Sequence, residues 1–235
     1  RPLDTDKIGD IENFGEGIDI VISMDISGSM LATDFQPNRL VAAKELAKEF
    51  VALRKSDRIG LVVYEGEAYT PCPVTKNHDF LKKTLSEVES GWLEPGTAIG
   101  VGLGTAVNRV NIDTLSSKVI ILLSDGENNR GEISPMEAAE LARSLGIRVY
   151  TIGVGSEGYA SMPVATPFGT IMQNTLVTID EELLMAIAEM TGGAYFRATD
   201  EKSLREIYYE IDQMEKNTYV DVSLPKEKYA HPEFF

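Results

Sequence analysis

Two loops and the start of one helical segment carry oxygen-bearing side chains of the kind that bind hard metal ions. Asp25, Ser27 and Ser29 occupy alternate positions after the apolar stretch VISM, and an extended loop would point all three the same way. Thr97 precedes a helical segment, and Asp125 follows a second apolar run. Carboxylates and hydroxyls suit Mg²⁺, with Mn²⁺ and Ca²⁺ as alternatives. We therefore predict a metal site formed by these five residues, with one coordination position left open to water or an incoming oxygen.

The same residues also allow simpler interpretations. Asp25 could cap a turn or a helix, Ser27 and Ser29 are common turn formers, and Thr97 could act only as a helix N-cap. The Ser-Gly-Ser run lacks the Gly-x-Ser-x-Gly pattern of a hydrolase nucleophile elbow. GVGLG at 100–104 has the wrong spacing for a dinucleotide-binding loop and follows no strand. Its glycines instead predict close packing of a helix on a sheet.

Other polar residues lie near the predicted metal. Asp34, Glu127 and Asn128 occupy the same loops and could tune the choice of partner, but solvated loop side chains are the simpler interpretation. The metal loops themselves contain no Lys, Arg or His, and Arg130 is the nearest basic residue in sequence.

The surrounding segments must bring these loops together. Apolar runs predict strands at 18–24, 118–126, 147–155 and 194–198 and a hairpin at 57–72. Helical spacing predicts helices at 38–55, 79–88, 96–110, 134–146, 181–193 and 200–216. This alternation predicts a three-layer α/β/α, Rossmann-like open sheet of six strands in the order 3-2-1-4-5-6, mostly parallel with one antiparallel edge strand. Such sheets bind ligands where the strand order reverses, which places Asp25 beside Asp125.

Composition limits the possible functions. Acidic residues outnumber basic ones 37 to 22, giving a formal net charge of −15, so nucleic acid and anionic lipid are unfavourable partners. No apolar run approaches the ~20 residues of a membrane helix. The chain has no initiator Met, and we expect it to be a soluble segment of a longer protein. The single Cys72 excludes an internal disulfide and is expected to be a packed thiol, and the two histidines are too far apart to suggest zinc.

DISGS at 25–29, GT at 96–97 and SDGEN at 124–128 resemble the metal-ion-dependent adhesion site of von Willebrand factor A domains. The resemblance spans residues 17–216 and keeps the order and strand-then-helix context of that site. It implies that the five residues named above are the metal ligands, some directly and some through water. It also implies a non-enzymatic interaction domain whose protein partner supplies a carboxylate to the open position.

Three longer stretches narrow this resemblance: DFQPNRL at 34–40, DRIGLVVYEGEAYTPCPVT at 57–75 and TGGAYFRATDEKSLREIYYEIDQMEK at 191–216. They are similar to the bacterial branch of these domains that is encoded in Bacteroides-type aerotolerance operons. This implies a membrane-associated complex linked to aerotolerance or stress, with the domain held between membrane helices and facing the periplasm. We accordingly divide the chain into a lead-in, the domain and an extension toward a membrane span of the parent protein, at 1–16, 17–216 and 217–235.

One long connection, residues 155–178, interrupts the otherwise compact pattern. Connections of this length are uncommon and are often functional. Its segment TIMQNTLVT alternates in polarity and predicts a small extra hairpin with the residues before it. We expect this hairpin to lie at or beside the metal edge of the sheet and to face a partner.

Three functions remain open from the sequence. The first is a Mg²⁺-dependent docking domain for another protein that offers an acidic residue, with no contact to nucleic acid and none to membrane except through flanking segments absent from this chain. The second is a Mg²⁺-dependent phosphoesterase, which the acidic composition and the lack of basic residues in the metal loops disfavour. The third is a domain that keeps the metal only for stability.

Overall fold

The structure, a computed structural model, describes residues 17–110, 117–156, 158–167 and 169–223, without the side chains of Ala165 and of residues 217–223. Within these residues the strands form a six-stranded sheet and a separate two-stranded sheet. In chain order the strands are β1 (Asp19–Asp25), β2 (Arg58–Tyr64), β3 (Ala68–Thr75), β4 (Lys118–Ser124), β5 (Arg148–Val154), β6 (Tyr159–Thr166), β7 (Gly169–Leu176) and β8 (Tyr195–Ala198).

The main sheet has the order β3-β2-β1-β4-β5-β8. This confirms the predicted six-strand sheet and its order, because β8 is the sixth strand along the chain once the separate pair β6 and β7 is set aside. β3 runs antiparallel to β2, and all other neighbours pair in parallel. The order reverses between β1 and β4, so the loops leaving these two strands open at the crevice where such sheets bind ligands.

Helices cover the sheet on both faces, and several begin at side-chain caps. They are α1 (Arg39–Leu53), α2 (His78–Glu87), α3 (Ile99–Arg109), α4 (Pro135–Ser144), α5 (Glu181–Thr191) and α6 (Glu201–Ser223). Asn38 caps α1 as predicted, since its Oδ1 accepts a hydrogen bond of 2.9 Å from Val41 N. Ser134 and Glu137 form a capping box at α4, where Pro135 occupies the first turn.

Two hydrophobic cores lie on opposite faces of the sheet. Ile20, Ile22 and Met24 of β1 pack into the core under α1, α2 and α6. Val21, on the other face of β1, packs into the core under α3, α4 and α5. The side chains on both faces of β1 are therefore buried. This explains the continuous apolar sequence of the strand and confirms the three-layer architecture.

Glycines let α3 approach its neighbours closely, as predicted. A Cβ on Gly102 would lie 2.5 Å from Cδ1 of Tyr64, and a Cβ on Gly100 would lie 2.1 Å from the carbonyl oxygen of Ile133. Neither distance leaves room for a side chain. The close fit fixes α3, and therefore the loop that precedes it, over the carboxyl edge of the sheet.

The long connection contains the predicted hairpin. β6 and β7 pair antiparallel without interruption from Tyr159 with Leu176 to Thr166 with Gly169. The hairpin lies beside the loop that follows β1, because Thr33 N donates a hydrogen bond of 2.9 Å to the carbonyl oxygen of Ser161. Its position at the metal edge is thus confirmed, and its contact with a partner stays a prediction.

Cys72 is fully buried in β3, as expected for a packed thiol. Burial raises the pKa of this thiol to about 11, so it is not a nucleophile at neutral pH.

The last described helix is longer than the sequence predicts. α6 continues to Ser223, beyond the boundary placed at 216, and the division into lead-in, domain and extension stays a prediction. The predicted lead-in at 1–16 and residues 224–235 lie outside the described residues. None of the helices in the described part of the chain is both long enough and apolar enough to cross a membrane.

Candidate metal centre

The loop after β1 brings one carboxylate and two hydroxyls together. Asp25 ends β1, and its Oδ1 accepts a hydrogen bond of 2.9 Å from Ser27 N. A short 3₁₀ helix begins at Gly28, and Met30 N donates to the carbonyl oxygen of Ser27 while its side chain is fully buried. The loop therefore turns rather than running extended, which agrees with the interpretation of Ser27 and Ser29 as turn formers. The hydroxyls of Ser27 and Ser29 still converge, with their Oγ atoms 3.0 Å apart.

The loop after β4 supplies the second carboxylate. Ser29 Oγ donates a hydrogen bond of 2.7 Å to Asp125 Oδ1, which joins the two loops directly. Ser124 Oγ donates in the other direction, 3.1 Å to Asp25 Oδ2. β1 and β4 are parallel neighbours that end at the same edge, so residues about a hundred positions apart meet there.

Thr97 lies against the same loop. Its N–H donates 2.9 Å to Asn129 Oδ1, and its carbonyl oxygen accepts from Asn129 N at 3.0 Å. A Cβ on Gly126 would lie 4.0 Å from Thr97 Oγ1. Ala98 occupies the N-cap position of α3, so Thr97 does not cap the helix and the cap-only interpretation was wrong. All five predicted residues therefore meet at one edge of the sheet.

Glu65 fastens the segment that leads to Thr97, a role the sequence did not indicate. It follows β2 and is almost fully buried, with Oε1 accepting 2.6 Å from Gly91 N and Oε2 accepting 3.2 Å from Leu93 N. Its carbonyl oxygen accepts from Ala98 N at 2.7 Å. Burial raises the pKa of this carboxyl, and the backbone N–H groups favour its ionised form.

Arg39 is the second functional residue that sequence reasoning missed. Its Nη1 donates 2.9 Å to Asp125 Oδ2, while Nε and Nη2 donate 2.7 and 2.6 Å to the two carboxylate oxygens of Asp34. The guanidinium is 1% exposed. Asp34 is thus ion-paired and largely covered rather than a solvated loop residue, which corrects that interpretation. Arg130 is the nearest basic residue in sequence, but α1 also carries Arg39 into the site from its first turn.

The ion pair of Arg39 and Asp34 also contacts the segment that leads from β5 into the hairpin of β6 and β7. Asp34 Oδ2 accepts a hydrogen bond of 2.8 Å from Ser156 N. A Cβ on Gly155 would lie 3.0 Å from Arg39 Cζ, so only glycine leaves room for the guanidinium there. The contacts join Asp125, the start of α1 and the end of β5 in one buried network.

This network carries excess negative charge. Asp25, Asp125 and Arg39 are buried and the Asp34 side chain is 7% exposed, so three carboxylates and one guanidinium leave two formal negative charges. Burial, and next the neighbouring charge of Asp125, raise the pKa of Asp25 to about 7. Burial also raises the pKa of Asp125, against the opposing effect of Arg39. Burial alone would raise the pKa of Asp34 too, but its hydrogen bonds with Arg39 outweigh this and hold it below its usual range.

The donor set fits a hard divalent cation. Such an ion would balance the two uncompensated charges and would remove the reason for Asp25 to hold a proton. The described residues contain no group of three or more His, Cys, Asp or Glu side chains placed to hold a metal ion. A cation here would therefore depend on the hydroxyls of Ser27, Ser29 and Thr97 beside the two strand-end carboxylates, which is oxygen ligation of the kind Mg²⁺ accepts.

The fold and the site define the chain as an α/β domain with an oxygen-lined crevice at its strand-order reversal. The family model of the von Willebrand factor type A domain matches residues 19–210. The chain therefore belongs to this family.

Proteins similar to this chain are found in bacteria. An uncharacterized protein of Borreliella burgdorferi is 33% identical over 191 residues, which cover 80% of this chain and 56% of that protein. The chain thus spans little more than half the length of this relative. An aerotolerance-related membrane protein of Bacteroides fragilis, crystallised with multiple mutations to serines, is 29% identical with a TM-score of 0.75 and covers 86% of this chain and 100% of its own.

One distant structure shares the fold alone. Proximal thread matrix protein 1 of the mussel byssus is 21% identical, with a TM-score of 0.60 over 89% of this chain and 46% of its own. In that protein the metal-ion-dependent adhesion site holds zinc.

Proposed function

We propose that this domain binds Mg²⁺ and uses it to dock another protein through an acidic side chain of that partner. The observation that carries the proposal is the convergence of Asp25, Ser27, Ser29 and Asp125 at the strand-order reversal, within a buried network that has two uncompensated negative charges. Thr97, held against the loop after Asp125, completes the ligand set. When bound, the cation supplies a Lewis acid for the partner's carboxylate.

The protein's own residues arrange the site so that a bound cation can accept the partner's carboxylate. Ser27 and Ser29 are neutral, so they orient around the cation without cancelling its charge. Arg39 engages Asp125 Oδ2, which leaves Oδ1 and the hydroxyl of Ser29 to face the site. Because the other proposed ligands are neutral hydroxyls, a coordination position stays open to an incoming carboxylate, and this contact provides the specificity.

The test is Mg²⁺ titration of single variants by isothermal titration calorimetry. Asp25→Ala and Asp125→Ala should each abolish measurable Mg²⁺ binding, because each removes a charged ligand, with circular dichroism confirming that the fold is retained. Asp79→Ala is the matched control, since this side chain is 97% exposed on α2 and does not contribute to the site. Wild-type affinity in both site variants would contradict the assignment of the ligands.

A phosphoesterase is the alternative function. Arg39 does not supply the missing basic group, because its guanidinium is buried and engaged by Asp34 and Asp125. The side chain of Arg130 is exposed and passes over Gly96, and it is the group that could favour a phosphate. Hydrolysis of p-nitrophenyl phosphate with Mg²⁺, lost in Asp25→Ala and in Arg130→Ala, would establish the enzyme and reject the docking function.

A metal used only for stability is the third function to separate. Chelation would then lower the melting temperature without changing the affinity for any carboxylate. Binding of acetate to the Mg²⁺-loaded domain, measured by chemical-shift titration and absent in Asp125→Ala, distinguishes docking from a stability role.

We further propose that the domain works at a bacterial membrane, on the periplasmic side, in a complex linked to aerotolerance. Similarity to the Bacteroides fragilis membrane protein over that protein's whole crystallised chain supports this. Protease accessibility of the full-length protein in spheroplasts and in inverted vesicles tests it, and digestion only in inverted vesicles would place the domain in the cytoplasm.

A further inference from the structure

The two edges of the main sheet are protected against pairing with another strand. β3 carries Pro71 and Pro73, and its register with β2 shifts twice. β8, at the opposite edge, has only four residues. Prolines, irregular register and short length are the devices by which proteins keep an exposed strand edge from accepting a further strand.

The outer edge of β7 has none of these protections. The strand runs for eight residues, Gly169–Leu176, with no charged residue, no proline and an uninterrupted register. Among the strands that the structure describes, β7 pairs only with β6. Ile171, Met172 and Leu176 are each more than half exposed, at 53, 56 and 53%. Residues 158–179 contain no charged side chain at all, although 25% of the chain is charged.

The backbone pattern shows which groups of β7 are free to pair. Val177 N donates 2.8 Å to the carbonyl oxygen of Gly158, and hydrogen-bonded pairs alternate along an antiparallel ladder. The N–H and C=O groups that point away from β6 therefore belong to Thr170, Met172, Asn174 and Leu176.

The outer edge of β6 is already engaged, in agreement with the same alternation. The carbonyl oxygen of Ser161 accepts from Thr33 N, and Pro163 offers no N–H. Only the β7 side of the hairpin can therefore accept a complete further strand.

We propose that β7 accepts an extended segment of another protein as the third strand of this small sheet. The segment is uncharged where it pairs, and it carries β-branched or aromatic side chains that lie beside Tyr159, Met172 and Leu176, which share one face of the hairpin. Backbone hydrogen bonds supply affinity, and this face supplies selectivity. The inference goes beyond the metal site, and its choice of occupant rests in part on the proposed docking function.

Two observations favour a different protein over a second copy of this chain. Each copy carries a net charge of −15, so two copies would repel one another as the edges approached. The hairpin also borders the metal loop through Thr33 and Ser161, and its root is tied to Asp34 through Ser156. A protein that occupies the crevice would therefore meet the hairpin as well.

The experiment selects peptides that can pair with β7 as a third strand. A displayed library of random peptides of about nine residues, the length of a long strand, is selected on the wild-type domain and the enriched peptides are synthesised. Asn174→Pro removes one outward N–H, and the matched control Asn174→Ala keeps it. Fluorescence anisotropy should show that Asn174→Pro weakens binding by roughly tenfold or more, whereas Asn174→Ala changes it little. Methylation of every second backbone nitrogen of the peptide should also weaken binding. It should do so for one of the two alternating sets of nitrogens and not for the other.

A second variant tests whether the loss of binding in Asn174→Pro comes only from disruption of the hairpin. Met172→Lys keeps the N–H and adds the type of charge that protects natural edges, so it too should weaken binding, with circular dichroism and Mg²⁺ affinity unchanged. Enriched peptides that bind wild type, Asn174→Pro and Met172→Lys equally, or a library without any binder sensitive to backbone methylation, would overturn the proposal. A dimer in sedimentation velocity that Asn174→Pro abolishes would overturn it in favour of a second copy.

Discussion

At the scale of single residues, Arg39 decides how the site behaves without a metal. It is the one guanidinium among the three carboxylates of this network, and it contacts both Asp34 and Asp125. A buried carboxylate left without its partner is costly, because the surroundings cannot replace the lost solvation. Arg39 therefore allows the metal-free domain to fold around the site that we propose for a divalent cation.

We expect Arg39→Met to lower the free energy of unfolding in EDTA by roughly 3–5 kcal/mol, the cost of breaking a buried ion pair by removing one partner. Saturating Mg²⁺ should restore more stability to this variant than to wild type, because the cation then offsets more negative charge. Urea denaturation with EDTA and with Mg²⁺ measures both effects.

The control for this prediction restores the charge balance. Arg39→Met combined with Asp34→Asn removes one positive and one negative charge, so its stability gain from Mg²⁺ should return toward the wild-type value. A gain that is the same in wild type, single and double variants would show that Arg39 does not compensate the metal site.

At the scale of elements, α6 is held in place by buried polar contacts as well as by apolar packing. Arg54, which directly follows α1, donates 2.8 Å to Asp212 Oδ1. Glu215 accepts from Tyr150 Oη and from Arg148 Nη2 of β5, each at 2.6 Å. These contacts join α6 to a helix and to a strand of the sheet at defined positions, so the helix cannot slide without breaking them.

The pKa of Asp212 makes this junction sensitive to acid. Burial raises this pKa, but hydrogen bonds from Lys216 and Arg54 more than reverse the effect, and the pKa lies below its usual value. A lowered folded-state pKa contributes stability above the unfolded-state pKa of about 4, and this stability is lost as the pH falls through the folded value. Asp212→Asn should therefore cost roughly 1–3 kcal/mol at pH 7 and much less below about pH 3.

Denaturation of wild type and Asp212→Asn across this pH range gives the measurement. Glu210→Gln serves as the control, because Glu210 is exposed on the same helix and its loss should have little effect at any pH. A stability difference between wild type and Asp212→Asn that does not shrink in acid would rule out the ionised Asp212 as its source.

At the scale of the whole molecule, the net charge of −15 acts on every ion that approaches. The field attracts divalent cations toward a site that is itself short of positive charge, and it repels acidic ligands until they are close. The proposed docking of a partner carboxylate would therefore gain its free energy at contact rather than from long-range attraction.

Mg²⁺ affinity should consequently fall several-fold when NaCl is raised from about 20 to about 200 mM, because salt screens the attraction of the whole protein. A variant with Asp79→Asn, Glu87→Gln and Glu210→Gln keeps every proposed ligand but loses three distant charges, and its affinity should depend less on salt. Calorimetric titrations at several salt concentrations measure the slope. Equal slopes for the two proteins would mean that the salt effect arises only at the site.

The residues of the candidate site that could be predicted are those that follow a recognisable local sequence pattern. Asp25 and Asp125 each end an apolar run, and parallel strands bring such ends to one edge. Glu65, Arg39 and Asp34 gave no comparable signal. Glu65 lies in an ordinary Glu-Gly turn sequence, and Arg39 meets Asp125 across 86 positions of the chain. Such partners become visible only when α1, β2 and the strand-end loops are packed together.

The amino-acid sequence by itself determined the alternation of strands and helices, the order of the six-stranded sheet and the grouping of five oxygen-bearing residues at its reversal. It could do so because burial on both faces makes the strands continuous apolar runs, and because parallel pairing aligns their ends. Only the tertiary structure decided that the loop after β1 turns into a 3₁₀ helix, that Arg39 compensates the carboxylates and that β7 pairs, among the described strands, with β6 alone. These features depend on charges and backbone groups that are distant in sequence and meet only in the folded chain.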